Sequence, residues 1–168
     1  MKTILLALAL KLLSLSLPGQ HLPATHPIMV RADEAAKAIS EKVALVYGDL
    51  SAEEQEKRAR VAYVWAFHES GWQANPKGSN DQGAAAGLFQ VHVMSVPKGV
   101  LPEGFTASGI RADIGMGAEA GLRLIKYLEE KCGSLRAGMT AFSTNGSCPT
   151  KGWTITLVTR RCAEAGGC

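Results

Sequence analysis

Aromatic residues make up only 6% of the 168-residue chain, and 18 Lys and Arg stand against 15 Asp and Glu. A nearly balanced chain with no clustered basic stripe gives no electrostatic case for nucleic acid, which is therefore not an expected partner. Three motifs are also missing: a Gly-x-Ser-x-Gly elbow, a Gly-rich phosphate loop before Lys-Ser or Lys-Thr, and His-Glu-x-x-His, although His68 and Glu69 are adjacent. Serine-nucleophile, nucleotide and zinc-hydrolase readings lose their support with them. Cys-x-x-Cys spacing, which would suggest zinc, is absent too. The longest apolar stretch, 4–17, is short and broken by Lys11, so stable membrane insertion is not expected.

What is present is the composition of an ordinary globular domain, 46% hydrophobic and 20% charged, with no internal repeat. Residues 1–19, with Lys2 ahead of the apolar stretch, read as a secretory leader, which places the protein in the periplasm or outside the cell. Removing it takes away Lys2 and Lys11 and no acid, so 16 basic residues face 15 acidic ones. Residues 20–30, with Pro23, Pro27, His21 and His26, read as an extended linker with solvated histidines. A single domain over 31–168 remains.

The four cysteines, Cys132, Cys148, Cys162 and Cys168, lie in the last quarter. In an exported chain they predict two disulfides; in a cytosolic one they would be free thiols. Three pairings are open, and the flexible end favours Cys168 joined to a loop cysteine such as Cys148.

Helical periodicity runs from Asp33 through Ala35, Ala36, Ile39, Val43, Val46 and Tyr47, and Gly48 ends it. Ser51 with Glu54 three residues later is a capping box that starts a second helix reaching Glu69. Alternation from Leu88 to Val93 predicts a small sheet of two or three strands, and 96–109, rich in Pro and Gly, a long loop in which Phe105 either lines a cleft or anchors the loop. A third helix over 113–131 carries Ile114, Ala118, Leu122, Ile125 and Leu128 on one stripe, with Gly115, Gly117 and Gly121 admitting a close neighbour. Gly133 stops it, Ser134 starts a short helix through Phe142, and 153–165 form the last helix, with Arg160 and Arg161 complementing its C-terminal dipole.

Glu69 draws attention on chemical grounds. Val61, Val64 and Trp65 share a helical face with His68, and Glu69 falls four residues after Trp65, on the border of that face. A partly desolvated carboxyl has a raised pKa, as a general acid near neutral pH requires. An isolated glutamate in a last turn is otherwise an ordinary surface residue.

The surroundings of Glu69 carry more information. Residues 67–92 read FHESGWQANPKGSNDQGAAAGLFQVH, and this order resembles the catalytic segment of soluble lytic transglycosylases and goose-type lysozymes. Glu69-Ser70 stand at the family's Glu-Ser pair, and 83–90 at its Gly-Leu-Met-Gln-like strand, with Phe89 for the usual Met. Arg111-Ala112-Asp113-Ile114 with Gly117, Leu122 and Tyr127-Leu128 look like the Asn-Ile-x-x-Gly helix. Residues 141–146 look like the Ala-Tyr-Asn-Ala-Gly corner, with Phe142 for Tyr and so without a hydroxyl that faces the cleft. The resemblance spans roughly residues 50 to 162.

It implies a mainly α (α+β) lysozyme-like fold, a helical bundle with a small β-sheet flanking a cleft, acting on peptidoglycan glycan strands without metal or organic cofactor. Glu69 would be the catalytic acid and base. Ser70, supporting Glu69 or capping the turn, and Asp81, Gln90, Phe142 and Asn145 would meet the substrate. The product would be a 1,6-anhydro sugar, or a hydrolysed one if Asp81 positions water as in the goose-type branch; His92 stands where that branch often has a further Asp. A weakly active, glycan-binding component of cell-envelope machinery is a third reading.

Overall fold

Alanines at 32, 35, 36 and 38 keep one side of α2 (Pro27–Val46) thin enough for close approach to its neighbours, while Ile39 and Val43 fill the space between them. The computed structural model describes residues 1–19, 22–76, 84–150 and 155–168. Against α2 lies α3 (Ala52–Ser70), tied by the Tyr63 hydroxyl donating to the Ala32 carbonyl at 3.0 Å. Ser51 caps α3 as the sequence predicts, its Oγ accepting from the Glu54 amide at 3.3 Å. Every residue over 61–66 is fully buried, so the second half of α3 is enclosed on all sides. Burying each large apolar side chain there contributes about 1.5–3 kcal/mol.

The predicted stripe of the third helix is present in α5 (Ile114–Cys132), where Ala118, Leu122, Ile125 and Leu128 are buried. Asp113 caps it through Oδ1, which accepts from the amides of Gly115 and Met116 at 2.7 and 3.1 Å. α5 packs on α2 and on α6 (Leu135–Phe142), which Ser134 caps; α7 (Thr156–Glu164) closes over α3 and α6. The sheet is the two-stranded antiparallel pair β1 (Ala85–Ala86) and β2 (Val91–His92). The architecture is thus mainly α with a small sheet, as expected.

Several boundaries differ from expectation. Helix α2 begins at Pro27, not Asp33, because His26 caps it, its Nδ1 accepting from the Ile28 amide at 3.3 Å; Pro27 at the first position needs no donor. Residues 27–30 are therefore helix and not extended linker, and His26 is a cap and not merely solvated; His21 lies outside the described residues. The stretch read as a loop over 96–109 is shortened by α4 (Ala107–Ala112), whose cap Thr106 accepts from the Gly109 amide at 3.1 Å. Leu88 to Gln90 form the turn between β1 and β2 and not a strand. The last helix starts at Thr156; 151–154 lie outside the described residues.

Residues 2–16 form α1 (Lys2–Ser16), with Leu5, Ala9, Leu12 and Leu13 buried against α2 and α3 and Lys2 paired with Asp33 at 2.9 Å. Among the described residues no helix is long and apolar enough to cross a membrane. The cysteines form two disulfides, Cys132–Cys148 and Cys162–Cys168. Cys168 therefore pairs with Cys162 and not with Cys148: the tail folds back over the end of α7, bringing the two Cα atoms to 5.2 Å. Two disulfides are compatible with a secreted protein.

Candidate functional site

The last turn of α3 owes its shape to its exit. Gly71 takes a left-handed conformation and its amide donates to the Phe67 carbonyl at 2.8 Å, while the Trp72 amide reaches back to Ala66 at 3.4 Å. Trp72 then turns under the helix, stacks on Tyr63 with ring centroids 4.9 Å apart, and donates its indole N–H to the Tyr63 carbonyl at 3.1 Å. A buried tryptophan thus fixes where the chain leaves α3. Glu69 and Ser70 are held one turn above it.

Ser70 is buried, and its Oγ lies 2.9 Å from both the Ala66 and the Leu88 carbonyls. Its single hydroxyl hydrogen serves these two acceptors, so Ser70 is used within the fold. The bond to Leu88 joins the end of α3 to the β1–β2 turn, residues eighteen apart in sequence.

That turn is pressed onto α5 by two glycines. At Gly87, with φ +72°, an added Cβ would lie 2.6 Å from Ile110 and 3.3 Å from the Gly117 Cα. At Gly121 an added Cβ would fall 2.1 Å from the Phe89 ring, so Phe89 occupies the space that any other residue at 121 would fill. Arg111 secures the near strand, donating to the Ala85 carbonyl at 2.9 Å. The close neighbour expected at Gly117 and Gly121 is therefore the turn that carries Gly87 and Phe89.

Gln90 follows in the left-handed region (φ +49°), its side-chain amide donating to the Gly87 carbonyl at 2.9 Å. It lines a groove of about 670 Å³ together with Phe142 and Asn145. Tyr127, Lys131 and His92 add polar groups to the walls, and Leu124 and Leu128 apolar ones. The corner bearing Phe142 and Asn145 is held by the Gly146 amide donating to Ala141 at 2.8 Å, by Lys131 Nζ donating to the Gly146 carbonyl at 2.8 Å, and by the Cys132–Cys148 bridge. Among the described residues the walls of this groove do not include Glu69 or Ser70. Asp81 lies outside the described residues. Phe105 lines a separate hollow of about 330 Å³ with Met94 and Val93.

Glu69 itself has a partner the sequence did not suggest. Arg161 of α7 donates from Nη1 to Glu69 Oε1 at 2.7 Å, with the arginine side chain 8% and the glutamate 28% exposed. The guanidinium also lies over the Trp65 ring, 5.1 Å from its centroid. Next to this pair, His68 Nε2 meets Glu164 Oε2 at 2.7 Å. The surroundings of Glu69 are therefore those of an ion pair on an apolar shelf, not of a carboxyl alone in an apolar pocket. Its Oε2 has no hydrogen-bond partner among the described residues. Arg161 was legible only in one signal: it shares the i, i+3, i+4, i+7 stripe of α7 with Val158, Cys162 and Ala165, all buried.

Among the described residues no group of three His, Cys, Asp or Glu side chains converges in a way that could hold a metal ion. No protein-family model matches the chain, nor does any curated protein or solved structure.

Proposed function

We propose that the chain is a peptidoglycan lytic transglycosylase that cleaves the β-1,4 bond between N-acetylmuramic acid and N-acetylglucosamine. The observation that carries this reading is the meeting of three stretches far apart in sequence. The Glu69-Ser70 helix end is bonded to the 87–90 turn, and that turn delivers Gln90 to the groove walled by Phe142 and Asn145 of the 141–146 corner. These are the stretches in which the chain resembles the lytic transglycosylase and goose-type lysozyme family.

Glu69 gives the proton on Oε2 to the leaving glycosidic oxygen as the C1–O bond breaks, and the substrate's acetamido group stabilises the cation that develops. The carboxylate then takes the proton of the muramyl 6-hydroxyl as that oxygen bonds to C1, giving the 1,6-anhydro product. Gln90 and Asn145 are the polar groups of the groove suited to amide and hydroxyl groups of the glycan. Residues 1–19 act as a secretory leader, and the substrate lies in the cell envelope, in keeping with the two disulfides.

Mass spectra of sacculi digested with the protein test the reading. Muropeptides lighter by one water than the hydrolysed form are expected. Hydrolysed products alone would replace it with the muramidase alternative, in which Asp81 positions water. Binding to sacculi with no release would leave a glycan-binding component.

A further inference from the structure

We infer that Arg161 is the positioning residue of Glu69: it fixes Oε1, so that Oε2 alone carries and delivers the proton. The inference rests on the reading of Glu69 as the acid, and it adds a residue from the last helix to a site otherwise built from 69–146.

Four observations carry it. Arg161 is nearly buried, on the stripe by which α7 docks, so its charge faces the protein and not water. Its seat is made by two residues one turn apart on α3: the Trp65 ring beneath the guanidinium at 5.1 Å and the Glu69 carboxylate at 2.7 Å. The contact reaches Oε1, and among the described residues Oε2 has no hydrogen-bond partner. The pair is also held in register from outside. His68, next to Glu69, and Glu164, three residues after Arg161, meet at 2.7 Å, and Cys162, the next residue after Arg161, is bridged to Cys168.

The chemical consequence follows from the geometry. A glutamate at a helix end has three rotatable bonds, and a short charge-assisted bond at Oε1 removes most of that freedom before substrate arrives. When the proton leaves Oε2 for the glycosidic oxygen, the negative charge that remains is shared with Oε1 and balanced by the guanidinium already in place. No atom of Arg161 reacts. In the second half of the reaction Oε2, still held at the same place, accepts the proton of the 6-hydroxyl.

The test compares wild type, Arg161→Met, Arg161→Lys and Arg161→Ala on sacculi, with melting temperatures recorded for each. Met keeps an apolar stem over Trp65 and loses the donor. Its kcat should fall about tenfold to a hundredfold while KM stays within about threefold, the signature of an interaction needed in the transition state and not for binding. Arg161→Lys should recover part of the loss, and guanidinium added at non-denaturing concentration should restore turnover to Arg161→Ala, an effect that a merely structural arginine would not show. Unchanged or increased kcat in Arg161→Met overturns the inference, as does failure of every variant to fold or a loss that neither Lys nor guanidinium relieves. An inactive wild type would instead remove the glycosidase reading itself, and the role of Arg161 with it.

Discussion

Glu69 and Glu119 each lie on a helix with an arginine on the carboxylate, yet their oxygens are used differently. Glu119, on α5, has both oxygens taken: Oε2 accepts from Lys42 of α2 at 2.9 Å, and Oε1 accepts from Arg123 Nε and Nη2 at 2.9 and 2.8 Å. Glu69 has one oxygen bound and, among the described residues, one without a hydrogen-bond partner, and is nearly three times as exposed, 28% against 10% for the side chain. A saturated carboxylate can only hold helices together. One with an acceptor position left over can also exchange a proton. Sheltered glutamates are therefore sorted by how many acceptor positions the fold leaves over, and not by burial alone.

That contrast can be sharpened by stability. Glu119→Gln should lower stability by about 2 kcal/mol, since two cations at the α2–α5 contact lose their counter-charge, and should leave turnover near wild type. Thermal unfolding and a sacculus digest of the same sample check both halves. Glu69→Gln should cost less, about 1 kcal/mol, because its partner keeps an amide oxygen to donate to and the site is partly open to water. A larger loss for Glu69→Gln than for Glu119→Gln in thermal unfolding would make Glu69 the structural residue of the two.

The smallest effect is expected from pH. Burial pushes the Glu119 carboxyl up, and the bonds and charges of Lys42 and Arg123 outweigh that, holding it below the ordinary value of 4.5. With the folded value depressed, the contribution of Glu119 is whole above the unfolded value and is lost as pH falls through the folded one. Melting temperature should therefore fall as pH drops below the ordinary value of 4.5, and Glu119→Gln should flatten that slope by about 2–4 °C. Asp49 and Glu54, also held down by cationic partners, keep the rest of it. An identical slope in the variant would break the claim that Glu119 is the saturated carboxylate of the pair.

Local chemistry was readable wherever one residue decides the outcome. Ser51, Asp113 and Ser134 cap the helices they were expected to start, and the stripe of α5 is buried as its spacing predicts. His26 was missed as a cap because proline on both sides suggested extended chain, whereas Pro27 suits the first position of a helix. The sheet is shorter than alternation implied because 87–90 spend their backbone on a turn seated against Gly117 and Gly121. Cysteine pairing depends on where the tail returns, which no spacing reveals. The resemblance put Ser70, Asp81, Gln90, Phe142 and Asn145 at one substrate site; Gln90, Phe142 and Asn145 wall one groove, Ser70 is not among its walls, and Asp81 lies outside the described residues. Ser70 is buried, and its hydroxyl ties α3 to the Leu88 carbonyl of the turn, a contact eighteen residues away that local spacing does not reveal. Arg161 looked like a charge at a helix end until α7 was seen to turn it inward onto Glu69.

The most direct test of the difference between the two carboxylates is turnover of sacculi by Glu69→Gln beside Glu119→Gln, with binding to sacculi measured for both. Glutamine keeps the shape of the side chain and cannot supply or recover a proton. The account predicts that Glu69→Gln binds sacculi and releases muropeptides at least about a hundredfold more slowly than wild type, while Glu119→Gln remains active at a temperature where it is folded. Release by Glu69→Gln at the wild-type rate would contradict it.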